Sequence, residues 1–123
     1  MDQICNTRRV LVVDDNRDAA DTTAFLLEAH GFRTEVVYDG EQALAAAVGF
    51  KPDVIFLDIT MPRMDGYEAL AKLRRLKDGA SARIVALTAL SDAASLAAMA
   101  AAGFDAHLTK PASVPSLLLM AAH

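Results

Sequence analysis

Residues 10–16 read VLVVDDN. Four apolar residues, three of them valine, end abruptly in two adjacent carboxylates, Asp14 and Asp15, and then Asn16. A short, unbroken apolar run rich in β-branched side chains reads as a strand buried on both faces. A buried strand that ends in two carboxylates needs something to take up their charge. Finding that partner decides how the rest of the chain is read.

Working outward, five segments have strand character: RRVLVV (8–13), RTEVVY (33–38), DVIFL (53–57), ARIVAL (82–87) and the weaker DAHLT (105–109). Helical patterns fill the gaps. Residues 17–30 carry Phe25, Leu26 and Leu27 and stop at Gly31, which suits a helix-ending glycine. DGEQALAAAVG opens on Asp39 with Gln42 three residues on, a capping-box spacing, and is expected to stop at Gly49. DGYEALAKLRRLKDG repeats the device with Asp65 and Glu68, and Leu70, Leu73 and Leu76 form its apolar stripe. SDAASLAAMAAAG starts at Ser91 and ends at Gly103. A last helix runs from Val114 to Ala122, with Ser113 as its cap and Pro115 in the first turn.

Strand and helix therefore alternate five times with short connections. That order gives a parallel sheet with right-handed crossovers, an α/β class fold. With 123 residues the chain suits one domain, residues 1–123, with residues 1–7 as a flexible N-terminal tail. A net charge of −4 argues against general nucleic-acid binding and gives no support for docking to anionic lipid. No apolar run approaches the roughly 20 residues of a membrane span. The single Cys5 cannot form an internal disulfide and reads as a reduced thiol, which suits a cytoplasmic protein.

The polar residues that remain fall at one recurring place. Asp14 and Asp15 follow the first strand, Asp58 the third, Thr88 the fourth and Lys110 the fifth. In a parallel sheet these ends share one edge, and ligands of open α/β sheets bind there, at the point where strand order switches direction. In the order 2-1-3-4-5 the first and third strands are neighbours across that switch, so the three carboxylates converge. Converging carboxylates repel, and a hard cation such as Mg²⁺, which takes carboxylates, waters and phosphate oxygens, resolves the repulsion. Lys110 supplies a compact positive charge and Thr88 a hydroxyl. Neither GxxxxGK[ST] nor GxGxxG occurs, so a nucleotide is not the indicated ligand. An aspartate beside a metal can itself attack phosphorus.

Four blocks, VLVVDDN, DVIFLDITMPRMDGYE, IVALTA and LTKP, resemble the response-regulator receiver domain of two-component signalling, in order and at the family's spacing, from residue 8 to about 120. The resemblance implies a flavodoxin-like (βα)5 doubly wound sandwich with the five-stranded order 2-1-3-4-5. It implies that Asp58 accepts a phosphoryl group from the phosphohistidine of a histidine kinase or phosphotransfer protein. Asp15 would bind Mg²⁺ directly, Asp14 through water, and the Thr60 backbone carbonyl would complete the protein ligands with Asp58. Thr88 would be the switch hydroxyl, Lys110 would bind a phosphoryl oxygen, and the Lys110–Pro111 bond would be cis. Such a domain is a signalling module rather than an enzyme, since it turns over only its own phosphoryl group.

Two positions depart from the pattern. The family usually has Tyr or Phe three residues before the lysine, where this chain has His107. A histidine there could rotate with Thr88 in a pH-dependent way. Thr60 and Leu90 stand at the pair of positions that the family uses to tune hydrolysis, and Leu90 is apolar and cannot position water, so slow self-dephosphorylation is expected. Asp65 reads as a helix cap outside the site, and Arg8, Arg9, Arg74, Arg75 and Lys77 read as solvated charge. The nearly uncharged last two helices suggest a dimer or partner surface on helix four, strand five and helix five, through Leu96, Met99 and Leu117–Met120. Two rival readings are a phosphatase of haloacid-dehalogenase type, which wants an acid where Thr60 stands, and a pseudo-receiver that only binds partners.

Overall fold

The computed structural model describes residues 8–61, 63–76 and 81–122. The expected N-terminal tail with Cys5, and also Pro62, Lys77 and His123, lie outside them. In chain order the elements are β1 (Arg9–Val13), α1 (Arg17–Ala29), β2 (Arg33–Val37), α2 (Gly40–Phe50) and β3 (Val54–Asp58). They continue with α3 (Gly66–Arg75), β4 (Arg83–Thr88), α4 (Ala93–Ala102), β5 (Ala106–Thr109) and α5 (Val114–Ala122). The strands are parallel in the order β2-β1-β3-β4-β5, as the sequence indicates.

Period-two alternation splits the strand side chains between two apolar layers. Leu11, Val13, Ile55, Leu57, Ile84 and Ala86 pack with Ala43, Ala46 and Ala47 of α2, with Leu70 and Leu73 of α3 and with Met99 of α4. Val10, Val12, Phe56, Val85 and Leu87 pack on the other face with Ala20, Ala24 and Leu27 of α1 and Leu117 and Ala121 of α5. The central strands β1 and β3 are buried on both faces, which is why they read as unbroken apolar runs.

The caps at Asp39, Asp65 and Ser113 are those expected, and Asn16 and Asp92 serve α1 and α4. Asn16, Asp39, Asp65 and Asp92 accept the backbone N–H groups of Ala19, Gln42, Glu68 and Ser95, and Ser113 Oγ accepts that of Ser116. Gln42 reaches back to the N–H of Tyr38, one residue beyond the cap. Two boundaries differ from the sequence reading. α2 passes through Gly49 and ends at Phe50, because Lys51 itself takes the left-handed cap conformation at φ 54°. α4 is capped by Asp92 rather than Ser91. The Lys110–Pro111 bond is cis.

The expected apolar surface needs correction. Met99 and Leu117 are buried in the two cores, and Leu96, Leu118 and Met120 are partly buried. α4 presents mainly alanine, and Leu119, 58% exposed, is the large apolar side chain that α5 leaves open. Arg74 also departs from the solvated reading. It donates to the carbonyls of Ala82 and Gly103 and to Asp105. Arg8 likewise donates to Ala121 O and Arg9 to Lys51 O. No helix among the described residues is long and apolar enough to cross a membrane.

Candidate functional site

β1 and β3 pair from Val10–Val54 to Val13–Leu57, so Asp14 and Asp58 leave adjacent strands at the same level. One carboxylate oxygen each from Asp14, Asp15 and Asp58 lies within 4.8 Å of the others. Asp14 and Asp58 are 2% and 5% exposed, whereas Asp15 is exposed. The buried pair is oriented by short-range backbone donors. Asn16 N–H donates to Asp14 Oδ1 at 3.0 Å and Thr60 N–H to Asp58 Oδ1 at 3.1 Å. The Asn16 side chain, meanwhile, starts α1.

Lys110 leaves the end of β5 and crosses to both buried carboxylates. Its Nζ lies 2.9 Å from Asp14 Oδ2 and 3.4 Å from Asp58 Oδ2. Burial, followed by the hydrogen bond and charge of Asp14, pushes Asp58 up to about 7, against the pull of Lys110 and the Thr60 amide. Burial alone would lower Lys110, but the Asp14 hydrogen bond and both carboxylate charges outweigh it, and Lys110 is raised. The site is thus short of positive charge: the one ammonium, paired with Asp14 and Asp58, stands in a cluster of three carboxylates.

That deficit is the test of a metal. The donors are hard carboxylate oxygens, two held by backbone amides and one, that of Asp15, with no hydrogen-bond or ion-pair partner among the described residues. This set suits Mg²⁺ and does not suit a soft metal, which would want thiolate or imidazole. The residues present therefore fit the ion.

Thr88 ends β4 beside β3, 3% exposed, and its Oγ1 accepts the N–H of Leu90 at 2.9 Å. Its hydroxyl hydrogen remains available to an acceptor. Thr88 pairs with Thr109 and Ala86 with His107, so His107 lies on the same sheet face as Thr88, one side-chain rung lower. It is exposed and lines a small cavity with Leu96, Met99 and Phe104. Asp65 stays outside the site as the cap of α3. Gly66 permits the tight start of α3. Its N–H donates to Ile59 O at 2.8 Å, and a Cβ there would meet Ile59 Cα at 2.6 Å and Asp58 O at 2.7 Å. The N-terminus of α3 is thus pressed against the backbone that carries Asp58. A cleft of about 630 Å³ opens beside Asp14 and Lys110, lined also by Asp18, Thr22, Thr23 and Leu26 of α1 and by Pro111.

Comparisons with known proteins give the family and the fold. Residues 10–122 match the response regulator receiver domain family. A response regulator receiver protein of Anaeromyxobacter is 40% identical over 111 residues, which cover 90% of this chain and 46% of that protein. Response regulator MprA of Mycobacterium tuberculosis is 36% identical over 89% of this chain and 47% of its own length. The chain spans about half the length of these curated relatives. Among solved structures, the chemotaxis response regulator CheY4 of Vibrio cholerae superposes with a TM-score of 0.86 at 30% identity, over 92% of this chain and 94% of that one. The receiver domain of sensor histidine kinase PA1611 from Pseudomonas aeruginosa has a TM-score of 0.84 at 30% identity, over 94% of both chains. That protein was solved with a magnesium ion coordinated in its active-site cleft.

Proposed function

Since this chain belongs to the response regulator receiver domain family, we propose that it accepts a phosphoryl group onto Asp58 from a phosphohistidine and uses the acyl phosphate to change a partner-binding surface. The observation that carries the reading is the convergence of Asp14, Asp15, Asp58, Thr88 and Lys110 at the carboxyl edge of the sheet. Receiver domains are signalling modules that take part with histidine kinases or phosphotransfer proteins, and they bind Mg²⁺ at an acidic pocket.

In the transfer, an oxygen of Asp58 attacks phosphorus. The P–N bond to the donor imidazole breaks and its electron pair stays on the nitrogen, so a donor whose other ring nitrogen carries a proton leaves as neutral histidine. Thr60 N–H fixes Asp58 Oδ1 during the attack, and Lys110 moves from carboxylate to phosphoryl oxygen. Asp15, Asp58, the Thr60 carbonyl and, through water, Asp14 would hold magnesium, which would supply charge neutralisation there. The cleft beside α1, which reaches Asp14 and Lys110, is where the donor side chain would enter.

After transfer, the Thr88 hydroxyl turns from the Leu90 amide, from which it accepts, and donates its hydrogen to a phosphoryl oxygen, and His107 follows on the same sheet face. The surface this biases is α4, β5 and α5, where Leu119, Leu118, Met120 and Leu96 offer apolar area to a second copy or another partner. The proposed location is the cytoplasm, and neither nucleic acid nor membrane is a partner of this domain; the net charge of −4 supports that.

The test is a titration with beryllofluoride and Mg²⁺, followed by amide NMR at residues 58–60 and along α4, with solution mass measured in parallel. Stoichiometric, Mg²⁺-dependent shifts at Asp58 that propagate to α4, and that vanish in Asp58→Asn, are expected. Shifts absent from Asp58, or retained in the variant, would remove the assignment.

A further inference from the structure

Tyr38 and Arg17 make a contact beside the carboxylates that the proposed function does not use. Tyr38 directly follows β2. Val37 pairs with Val13, and Val37 O accepts the Asp14 N–H at 3.2 Å, so Tyr38 stands next to the Asp14–Asp15 step on the neighbouring strand. Arg17 is the first residue of α1, two residues after Asp15. Its guanidinium carbon lies 4.0 Å from the centroid of the Tyr38 ring. The ring is itself held. Its hydroxyl donates to Asp21 Oδ1 at 2.7 Å, and the Tyr38 N–H donates to Gln42 Oε1 at 2.9 Å.

The electrostatics are unexpected. A guanidinium presents five donors in a fork that matches a carboxylate, and pairing with a nearby acid is its ordinary choice. Asp15 is exposed, two residues away, and its carboxylate has no hydrogen-bond or ion-pair partner among the described residues. Arg17 nevertheless faces an aromatic ring.

We propose that Tyr38, fixed by Asp21, parks Arg17 over its ring and so keeps the guanidinium off Asp15, leaving that carboxylate free for a divalent cation. The inference rests on the magnesium site proposed above. Were Arg17 to turn to Asp15, it would occupy the lone pairs a metal needs and place a positive charge beside a dication. Tyr38 and Asp21 are positioning residues, since neither reaches the metal ligands. An exposed cation–π contact can bias such an equilibrium by about two- to fivefold.

The experiment is a Mg²⁺ titration read from the amide shifts of residues 13–17, on wild type, Tyr38→Leu, Tyr38→Phe, Arg17→Gln and the double variant Tyr38→Leu/Arg17→Gln. Tyr38→Leu should weaken Mg²⁺ binding by about two- to fivefold. Tyr38→Phe, which keeps the ring and its packing, should stay closer to wild type. Arg17→Gln should bind at least as tightly as wild type, and the double variant should match Arg17→Gln. If Tyr38→Leu weakens binding equally in the Arg17→Gln background, the ring acts without Arg17 and the proposal is overturned. Unchanged affinity in Tyr38→Leu also overturns it, while wild-type binding leaves the metal site standing. A wild type that binds no Mg²⁺ removes both.

Discussion

Lys110 lies closer to Asp14 than to Asp58, 2.9 Å against 3.4 Å. The lysine expected to serve the phosphoacceptor is thus first the counter-ion of the most deeply buried carboxylate in the site. Lys110→Met should therefore destabilise the metal-free domain. Removing one partner of a fully buried pair costs about 3–5 kcal/mol. Lys110 is 30% exposed, and Asp58 can take up a proton, so about 1–2 kcal/mol is expected here. Mg²⁺ should recover part of the loss, because it supplies the missing positive charge. Urea unfolding with EDTA and with Mg²⁺ measures both. A variant as stable as wild type in EDTA would show that the ammonium does not hold the site together.

Asp58→Asn should stabilise the metal-free domain, and the gain should depend on pH. Folding raises Asp58 from the ordinary carboxylate range to about 7. Between roughly pH 4 and 7 the folded state therefore binds more protons than the unfolded state, and this group's contribution to stability falls as pH rises. Above about 7 the loss is complete. The asparagine has no such loss, so its advantage should be about 1–3 kcal/mol at pH 8 and should shrink towards pH 4. Denaturation in EDTA at pH 8 and pH 5 checks the sign. An advantage that grew on acidification would contradict the raised value.

Much of this was legible in the sequence because it is local or periodic. Apolar runs marked the strands, and carboxylates three residues ahead of a backbone donor marked the caps. The strand ends collected Asp14, Asp15, Asp58, Thr88 and Lys110 on one edge as soon as the sheet was known to be parallel. What escaped depends on contacts with no sequence period. Arg74 meets Gly103 and Asp105, 29 and 31 residues away, and nothing in RRLKDG distinguishes it from a solvated arginine. The Arg17–Tyr38 stack spans two elements in the same way. α2 outran Gly49 because a glycine can be helical, and the left-handed turn fell on Lys51. Met99 and Leu117 looked available because composition does not say which side of an apolar helix is covered.

Two glycines should respond in opposite ways to alanine. At Gly66 the added Cβ would lie 2.6 Å from Ile59 Cα and 2.7 Å from Asp58 O, both backbone atoms that cannot rotate aside. Gly66→Ala should cost about 1–3 kcal/mol and, by displacing Asp58, should slow phosphorylation as well. At Gly49 a Cβ meets nothing within 4 Å, and the residue is inside α2. Gly49→Ala should stabilise by about 0.5–1 kcal/mol and leave phosphorylation unchanged. Thermal unfolding and phosphoryl incorporation separate the two.

The acyl phosphate should decay over minutes rather than seconds. Hydrolysis needs a water aligned on phosphorus, and Leu90, 53% exposed beside Thr88, offers no polar group to hold one. Leu90→Gln, which adds a donor and an acceptor, should shorten the lifetime. Loss of phosphoprotein after donor removal gives the rate. Decay within seconds in the wild type would contradict the expectation.

Arg74 ties the end of α3 to three neighbours: Ala82 O at 2.8 Å, Gly103 O at 3.1 Å and Asp105 Oδ2 at 2.8 Å. The same Asp105 oxygen accepts the Ile84 N–H at 2.8 Å, so one arginine joins α3, the entry to β4, the end of α4 and the entry to β5. Arg74→Ala should cost about 1.5–3 kcal/mol, since two carbonyls lose the guanidinium donor and Asp105 is left with the Ile84 amide. Burial would raise Asp105, but the Ile84 amide and Arg74 outweigh it and hold the group lowered. A lowered acid stabilises the fold above its unfolded value, near 3.9, and that stability is lost as pH falls through the folded value. The gap between wild type and Arg74→Ala should therefore be widest at neutral pH and narrow below about pH 4. Denaturation midpoints from pH 7 down to pH 3 test this, and a gap that stayed constant would show that Arg74 acts through the carbonyls and not through Asp105.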